Sequence, residues 1–194
     1  MLPFAALESG TIVLIVIGVV VVLLLLWVIG AYNGLVRLRQ LVRKSWADID
    51  VQLKRRHDLI PNLVETVKGY ASHEAGTLQA VTEARAKAVS AEGVPDQAKA
   101  EGELSAALGR LMLVVEQYPD LKANQNFLGL QEELTSTENR IGFSRQHYND
   151  SVMTYNTRTE VFPANILAGM FKFERESFFE LDTEAEREVP KVSF

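Results

Sequence analysis

Residues 11–53 read TIVLIVIGVVVVLLLLWVIGAYNGLVRLRQLVRKSWADIDVQL. Two patterns meet inside this stretch. From Ile12 to Ile29 seventeen side chains are apolar and the remaining residue is Gly18, and no charge falls between Glu8 and Arg37. About 20 helical residues cross a hydrocarbon core of roughly 30 Å, so the run predicts a transmembrane helix over residues 11–31. A cleavable signal peptide would instead carry a basic start, a shorter apolar core and a small-residue cleavage site. Here Glu8 precedes the run, and Trp27 and Tyr32 suit a membrane-interface belt at its far end. Beyond Tyr32 the apolar positions fall into steps of three and four. They are Leu35, Leu38, Val42, Trp46, Ile49, Leu53, Ile60, Leu63, Val67 and Tyr70, with one seven-residue gap at Arg56. That spacing predicts an amphipathic helix growing directly out of the membrane.

The same coiled-coil-like spacing continues along the chain. Lys68 suits a last turn, Gly69 a left-handed cap, and Ser72 an N-cap with Glu74 in the next first turn. A second helix is expected from about His73 to Ala91, ending at Gly93, with Pro95 opening a third. Leu104, Leu108, Leu111, Val115 and Tyr118 mark the face of the third, and Pro119-Asp120 breaks it. The fourth runs from Leu121 or Phe127 to Arg158, with Phe127, Leu130, Leu134, Thr137, Ile141, Ser144, Tyr148, Val152 and Tyr155 on its stripe. At 1.5 Å per residue the first and last helices reach about 50 and 55 Å, and the middle pair roughly 30 and 35 Å. Two long helices with a short hairpin between them predict an all-α fold, an up-down-up-down antiparallel four-helix bundle behind a transmembrane helix. The competing reading is one unbroken helix from the membrane to residue 90, because Gly69 alone costs only about 1 kcal/mol inside a helix.

The domain organisation that follows is a short extracytoplasmic N-terminus at 1–10, the transmembrane helix at 11–31, a helical bundle at 32–173 and an acidic, Phe-containing tail at 174–194. Residues 161–173, rich in apolar and aromatic side chains, read either as a short helix capping the open end of the bundle or as a segment touching lipid or a neighbouring subunit.

Charge sets the orientation. The formal net charge of −5 is uneven. Arg37, Arg39, Arg43, Lys44, Lys54, Arg55 and Arg56 face only Asp48 and Asp50 in the stretch after the anchor, a collar of +5, whereas residues 57–194 carry −9. No Lys or Arg precedes the apolar run. The positive-inside bias therefore places the N-terminus outside and the bundle in the cytoplasm, in a bacterial inner membrane. Arg37 and Arg39 lie near enough to the exit to meet anionic headgroups. Lys54 lies about 35 Å of helix beyond it, far past a Debye length of about 8 Å. Lys54, Arg55 and Arg56 are therefore expected to pair with acids on neighbouring helices, or with the acidic face of another copy. Gly30 and Gly34, four apart at the exit, permit close packing of transmembrane helices.

These residues carry a resemblance. Tyr32-Asn33-Gly34-Leu35-Val36, WADIDVQLKRRHDLIPNLVETVKGYA (46–71) with His73-Glu74, YPDLKANQNF (118–127), ELTSTENRI (133–141), HYNDSVMTYNT (147–157) and FPANILAGMFKF (162–173) occur in order. The chain resembles the LemA family over nearly everything after the anchor. The resemblance implies a bacterial single-pass membrane protein with a cytoplasmic helical bundle. It transfers no enzymatic activity and no catalytic residue. A magnetosome membrane protein belongs to the same family, which links the resemblance to membrane organisation.

A search for chemistry yields little. The chain has no Cys, which excludes a disulfide framework, thiolate metal sites, a Cys nucleophile and a lipidated Cys. His57-Asp58 and His73-Glu74 are adjacent pairs whose members point about 100° apart on a helix, so neither alone chelates a metal. His147 stands apart on the last helix. No second His follows His73 at zinc-protease spacing, and no phosphate loop or Walker pattern is present. Serine has no nucleophile elbow, and the Glu-x-x-His repeats of a di-iron bundle are missing. Pro61 leaves the His57 carbonyl without its helical partner, which predicts a kink. Asn62, Asn139, Asn149 and Asn156 are expected to make interhelical hydrogen bonds. No catalytic residue, metal site or cofactor is expected, and the acidic balance argues against nucleic acid as a partner. The expected function is a non-enzymatic, membrane-anchored scaffold that meets membrane lipids and self-associates into a homo-oligomer, organising or remodelling the bilayer. The alternative is an adaptor or regulatory subunit for another membrane protein, such as a protease or signalling system.

Overall fold

A computed structural model describes residues 9–180. The N-terminal residues 1–8 and the distal part of the acidic tail, 181–194, lie outside the described residues. The described chain is all-helical. Six helices follow one another: α1 (Ser9–Lys68), α2 (Ala75–Ser90), α3 (Val94–Val115), α4 (Pro119–Lys122), α5 (Gln125–Glu160) and α6 (Ala164–Met170). No strand occurs among the described residues.

The apolar run and the amphipathic stripe belong to a single helix of 60 residues, and Pro61 lies inside it. α1 stops after Lys68, with Gly69 N–H donating to the Glu65 carbonyl and both Tyr70 and Ala71 N–H to that of Val67. Two details of this turn depart from the sequence reading. Among the described glycines only Gly93 has positive φ (+81°), so Gly69 ends the helix without a left-handed cap. Glu74, not Ser72, occupies the cap position of α2, and it makes no side-chain capping bond. The turn is held by backbone bonds, so neither side-chain device is needed. At Pro119 the break is itself a helical turn, α4, because proline is well placed at a first helical position.

The described residues divide into two compact units, one made of those up to Leu41 with Met153–Glu176 and the other of Val42–Val152 with those from Ser177 to Glu180. In the second unit, Ile60, Leu63 and Val67 of α1, Leu78, Val81, Ala84 and Ala88 of α2, Leu104, Leu108 and Leu111 of α3, and Phe127 of α5 share one buried cluster. α2 and α3 pair through alanines, which bring their backbones close. Gln97 Nε2 donates to the Ala88 carbonyl at 3.0 Å, and Lys87 pairs with Glu103 at 3.1 Å.

Asn124 caps α5 with its side chain. Its Oδ1 accepts from the N–H groups of Asn126 (2.9 Å) and Phe127 (3.1 Å), while its Nδ2 donates to the Tyr70 hydroxyl at 2.9 Å. Asn124→Ala is expected to cost about 1 kcal/mol of stability, read as a lower urea midpoint by circular dichroism; an unchanged midpoint would show the cap to be dispensable.

Candidate functional site

In the first unit, every residue from Ile12 to Ile29 is exposed apart from the partly covered Val28. A helix that is apolar all round and uncovered by protein has the surface of a membrane span. A Cβ added at Gly30 or Gly34 would have no neighbour within 4 Å among the described residues. Past the apolar run the helix acquires a buried side, with Ala31 6% and Leu35 0% exposed. What covers it in this unit includes the segment after α5. The Tyr32 ring lies 4.9 Å from that of Phe171 and 5.7 Å from that of Phe173, both edge-on. Arg39 stacks its guanidinium over Phe173 at 4.9 Å, and its Nε is buried without a hydrogen bond. Arg39 is thus engaged on an aromatic face, whereas Arg37 is exposed.

α6 buries Ala164, Leu167 and Ala168 and exposes Ile166 and Met170. The chain then continues without helix from Phe173 to Glu180. Within the first unit Asn156 grips this segment by both backbone groups of Glu176. Its Nδ2 donates to the carbonyl and its Oδ1 accepts from the N–H, each at 2.9 Å. The Tyr155 hydroxyl donates to the Glu174 carbonyl at 2.9 Å. Within the second unit Asn149 grips Phe179 in the same way (3.2 and 2.9 Å), and the Tyr148 hydroxyl donates to the Ser177 carbonyl at 2.8 Å. Asn149 and Asn156 therefore bond the non-helical backbone after α6 rather than a neighbouring helix.

The second unit also holds a buried charge cluster. Arg56 occupies the gap in the apolar stripe of α1 and is only 4% exposed. Its Nη1 lies 3.4 Å from Glu101 Oε2 and 3.1 Å from Glu138 Oε2, and its Nη2 donates to Ser105 Oγ at 2.8 Å. Glu101, 2% exposed, also pairs through Oε1 with His57 Nε2 at 2.7 Å and accepts from Gln97 Nε2 at 3.1 Å. The His57 carbonyl, orphaned by Pro61, receives Arg85 Nε at 2.6 Å. Arg55 pairs with the exposed Glu133, and Lys54 is exposed. Further along, Ser45 and Ser151 share a buried hydroxyl contact at 3.1 Å.

This arrangement neutralises charge. Arg56 is balanced by two carboxylates, and both of its terminal nitrogens have acceptors. His73 and His147 are exposed and take no part. Among the described residues no three His, Asp or Glu side chains are grouped to hold a metal ion. Glu101 was not singled out by sequence, although a signal existed. It stands three residues before Leu104, on the continuation of the α3 stripe, where a core residue belongs.

Comparison with known proteins places these features. The chain is 28% identical to magnetosome protein MamQ 2 of Paramagnetospirillum magneticum over 175 residues, 77% of this chain and 64% of that one. It is 26% identical to magnetosome protein MamQ of Magnetospirillum gryphiswaldense over 76% of this chain and 64% of the relative. It is also 26% identical to protein LemA of Metamycoplasma hominis over 72% of this chain and 64% of the relative. The chain thus spans just under two thirds of the length of these relatives. With an uncovered apolar helix and these relatives, it is a membrane-associated helical protein. The LemA family pattern matches residues 45–194, and the chain belongs to the LemA family.

Proposed function

We propose that this protein is a non-enzymatic scaffold anchored in the inner membrane by α1, with its N-terminus outside and its helical domain in the cytoplasm. The helical domain self-associates there and organises or remodels the bilayer. The observation that carries this reading is the uncovered apolar surface of Ile12–Ile29, continuous in one helix with the buried stripe that begins at Ala31. The kinship with two magnetosome proteins supports a role in membrane organisation. The exposed Arg37, Arg43, Lys44 and Lys54, set against the net acidic chain from residue 57 on, supply opposite charges for copy-to-copy contact. Within the second unit, α1, α2, α3 and α5 form an up-down-up-down bundle. Its support is the shared core and the pairs Ser45–Ser151, Arg55–Glu133 and Tyr70–Asn124, which advance along α1 as they retreat along α5.

Full-length chain reconstituted in liposomes is expected to show a native mass of several copies and altered vesicle shape by electron microscopy. A strict monomer in unchanged vesicles overturns the proposal. Orientation has its own measurement: a C-terminal alkaline phosphatase fusion is expected to be inactive in cells, and an active one would reverse the topology.

A further inference from the structure

We infer that α6 and its flanks form a second membrane contact, an interfacial patch that lies in the headgroup layer beside the α1 span. The inference rests on the reading of α1 as a membrane span and concerns the first unit alone. α6 turns Ala164, Leu167 and Ala168 inward. Its outer side should be polar if it met only water. Instead Ile166 is 57% and Met170 68% exposed, four residues apart on one helix face, with Phe162 75% exposed before them and Phe171 48% after. Exposed apolar clusters of this kind mark a contact surface.

The occupant follows from position. Tyr32 is three residues beyond Ile29, about 4.5 Å along the helix. The headgroup layer on each side of the hydrocarbon core is roughly 5–7 Å thick. A span that fills the core with Ile12–Ile29 therefore sets Tyr32 within that layer. The Phe171 ring sits 4.9 Å from Tyr32, so the end of α6 is at the same depth. The patch is thus continuous with the lipid-facing surface of α1. Lys172, exposed beside Phe171, suits anionic headgroups. A short apolar-faced helix with aromatic neighbours and a flanking cation is the composition that lies in an interface.

Because the chain contains no cysteine, single nitroxide labels report depth directly. Full-length Ile166→Cys and Met170→Cys, reconstituted in vesicles of phosphatidylethanolamine and phosphatidylglycerol, are compared with Val20→Cys in the span and Glu92→Cys in the α2–α3 turn. At 166 and 170, collisions with a water-soluble nickel complex are expected to fall several-fold below those at 92, while collisions with oxygen stay high. Nickel access at 166 and 170 equal to that at 92 overturns the inference. So does exclusion of both reagents with spin–spin broadening, which would mean that a second copy covers the patch. Nickel access at position 20 overturns the membrane reading of α1 itself, and the inference with it.

Discussion

Replacing Glu101 with leucine lowers the unfolding free energy by about 3–5 kcal/mol, the cost of leaving a buried charge without its partner. Glu101 is the hub of the cluster, bonded to Arg56, His57 and Gln97. Without it Arg56 retains Glu138, whose side chain is 54% exposed and therefore weakened by solvent, and the hydroxyl of Ser105. His57 loses its Glu101 partner at a position 7% exposed. The charge-paired arrangement is not thereby the most stable filling of the site. Desolvating Arg56 and Glu101 offsets much of their attraction, and apolar side chains of similar volume often serve as well. The double variant Arg56→Met with Glu101→Leu should therefore recover most of the loss. Urea unfolding of the chain in detergent, followed by circular dichroism, measures both. A single variant within about 1 kcal/mol of the parent would refute the account, since even an exposed ion pair contributes up to that much.

The cluster shows how far the sequence could be read. The interrupted stripe at Arg56 was visible as a gap, and pairing of this basic run with acids on other helices was one of its two readings. The structure shows Arg55 with Glu133 and Arg56 with Glu101 and Glu138. The partner was not visible, because periodicity locates a residue on a face and says nothing of which face it opposes. Helix existence was similarly legible from steps of three and four, and the end of α1 at Lys68 excludes the unbroken helix to residue 90. The device at that end was not legible: Gly69 signalled a left-handed cap, yet backbone bonds alone close the turn. The non-helical segment after α6 was the least legible part. It has no helical period, and its acids give it the composition of a solvated tail. What fixes it lies elsewhere in the chain, in the Tyr-Asn pairs at 148–149 and 155–156, seven residues apart. Each asparagine offers an amide that matches a backbone N–H and C=O at once.

That segment gives the second large effect. Phe179 is 2% exposed, with its ring 5.8 Å from that of Trp46 and both its backbone groups held by Asn149. Truncating a buried phenylalanine costs about 3–5 kcal/mol in a closed core. Here the loss takes a different form. The segment carries no helix of its own, so the penalty is expected to fall on its attachment rather than on the helices. Phe179→Ala is expected to leave the urea midpoint of the helices nearly unchanged. Cleavage by a glutamate-specific protease at Glu174, Glu176 or Glu180 should instead accelerate by about 100-fold, the equivalent of roughly 3 kcal/mol of lost attachment at 1.4 kcal/mol per decade. Phe178→Ala, at a half-buried neighbour, should accelerate it far less, which separates ring burial from general loosening of the chain. Equal rates for the parent and Phe179→Ala would mean that the two asparagine clasps hold the segment by hydrogen bonds alone. Asn149→Ala would then be the variant that releases it.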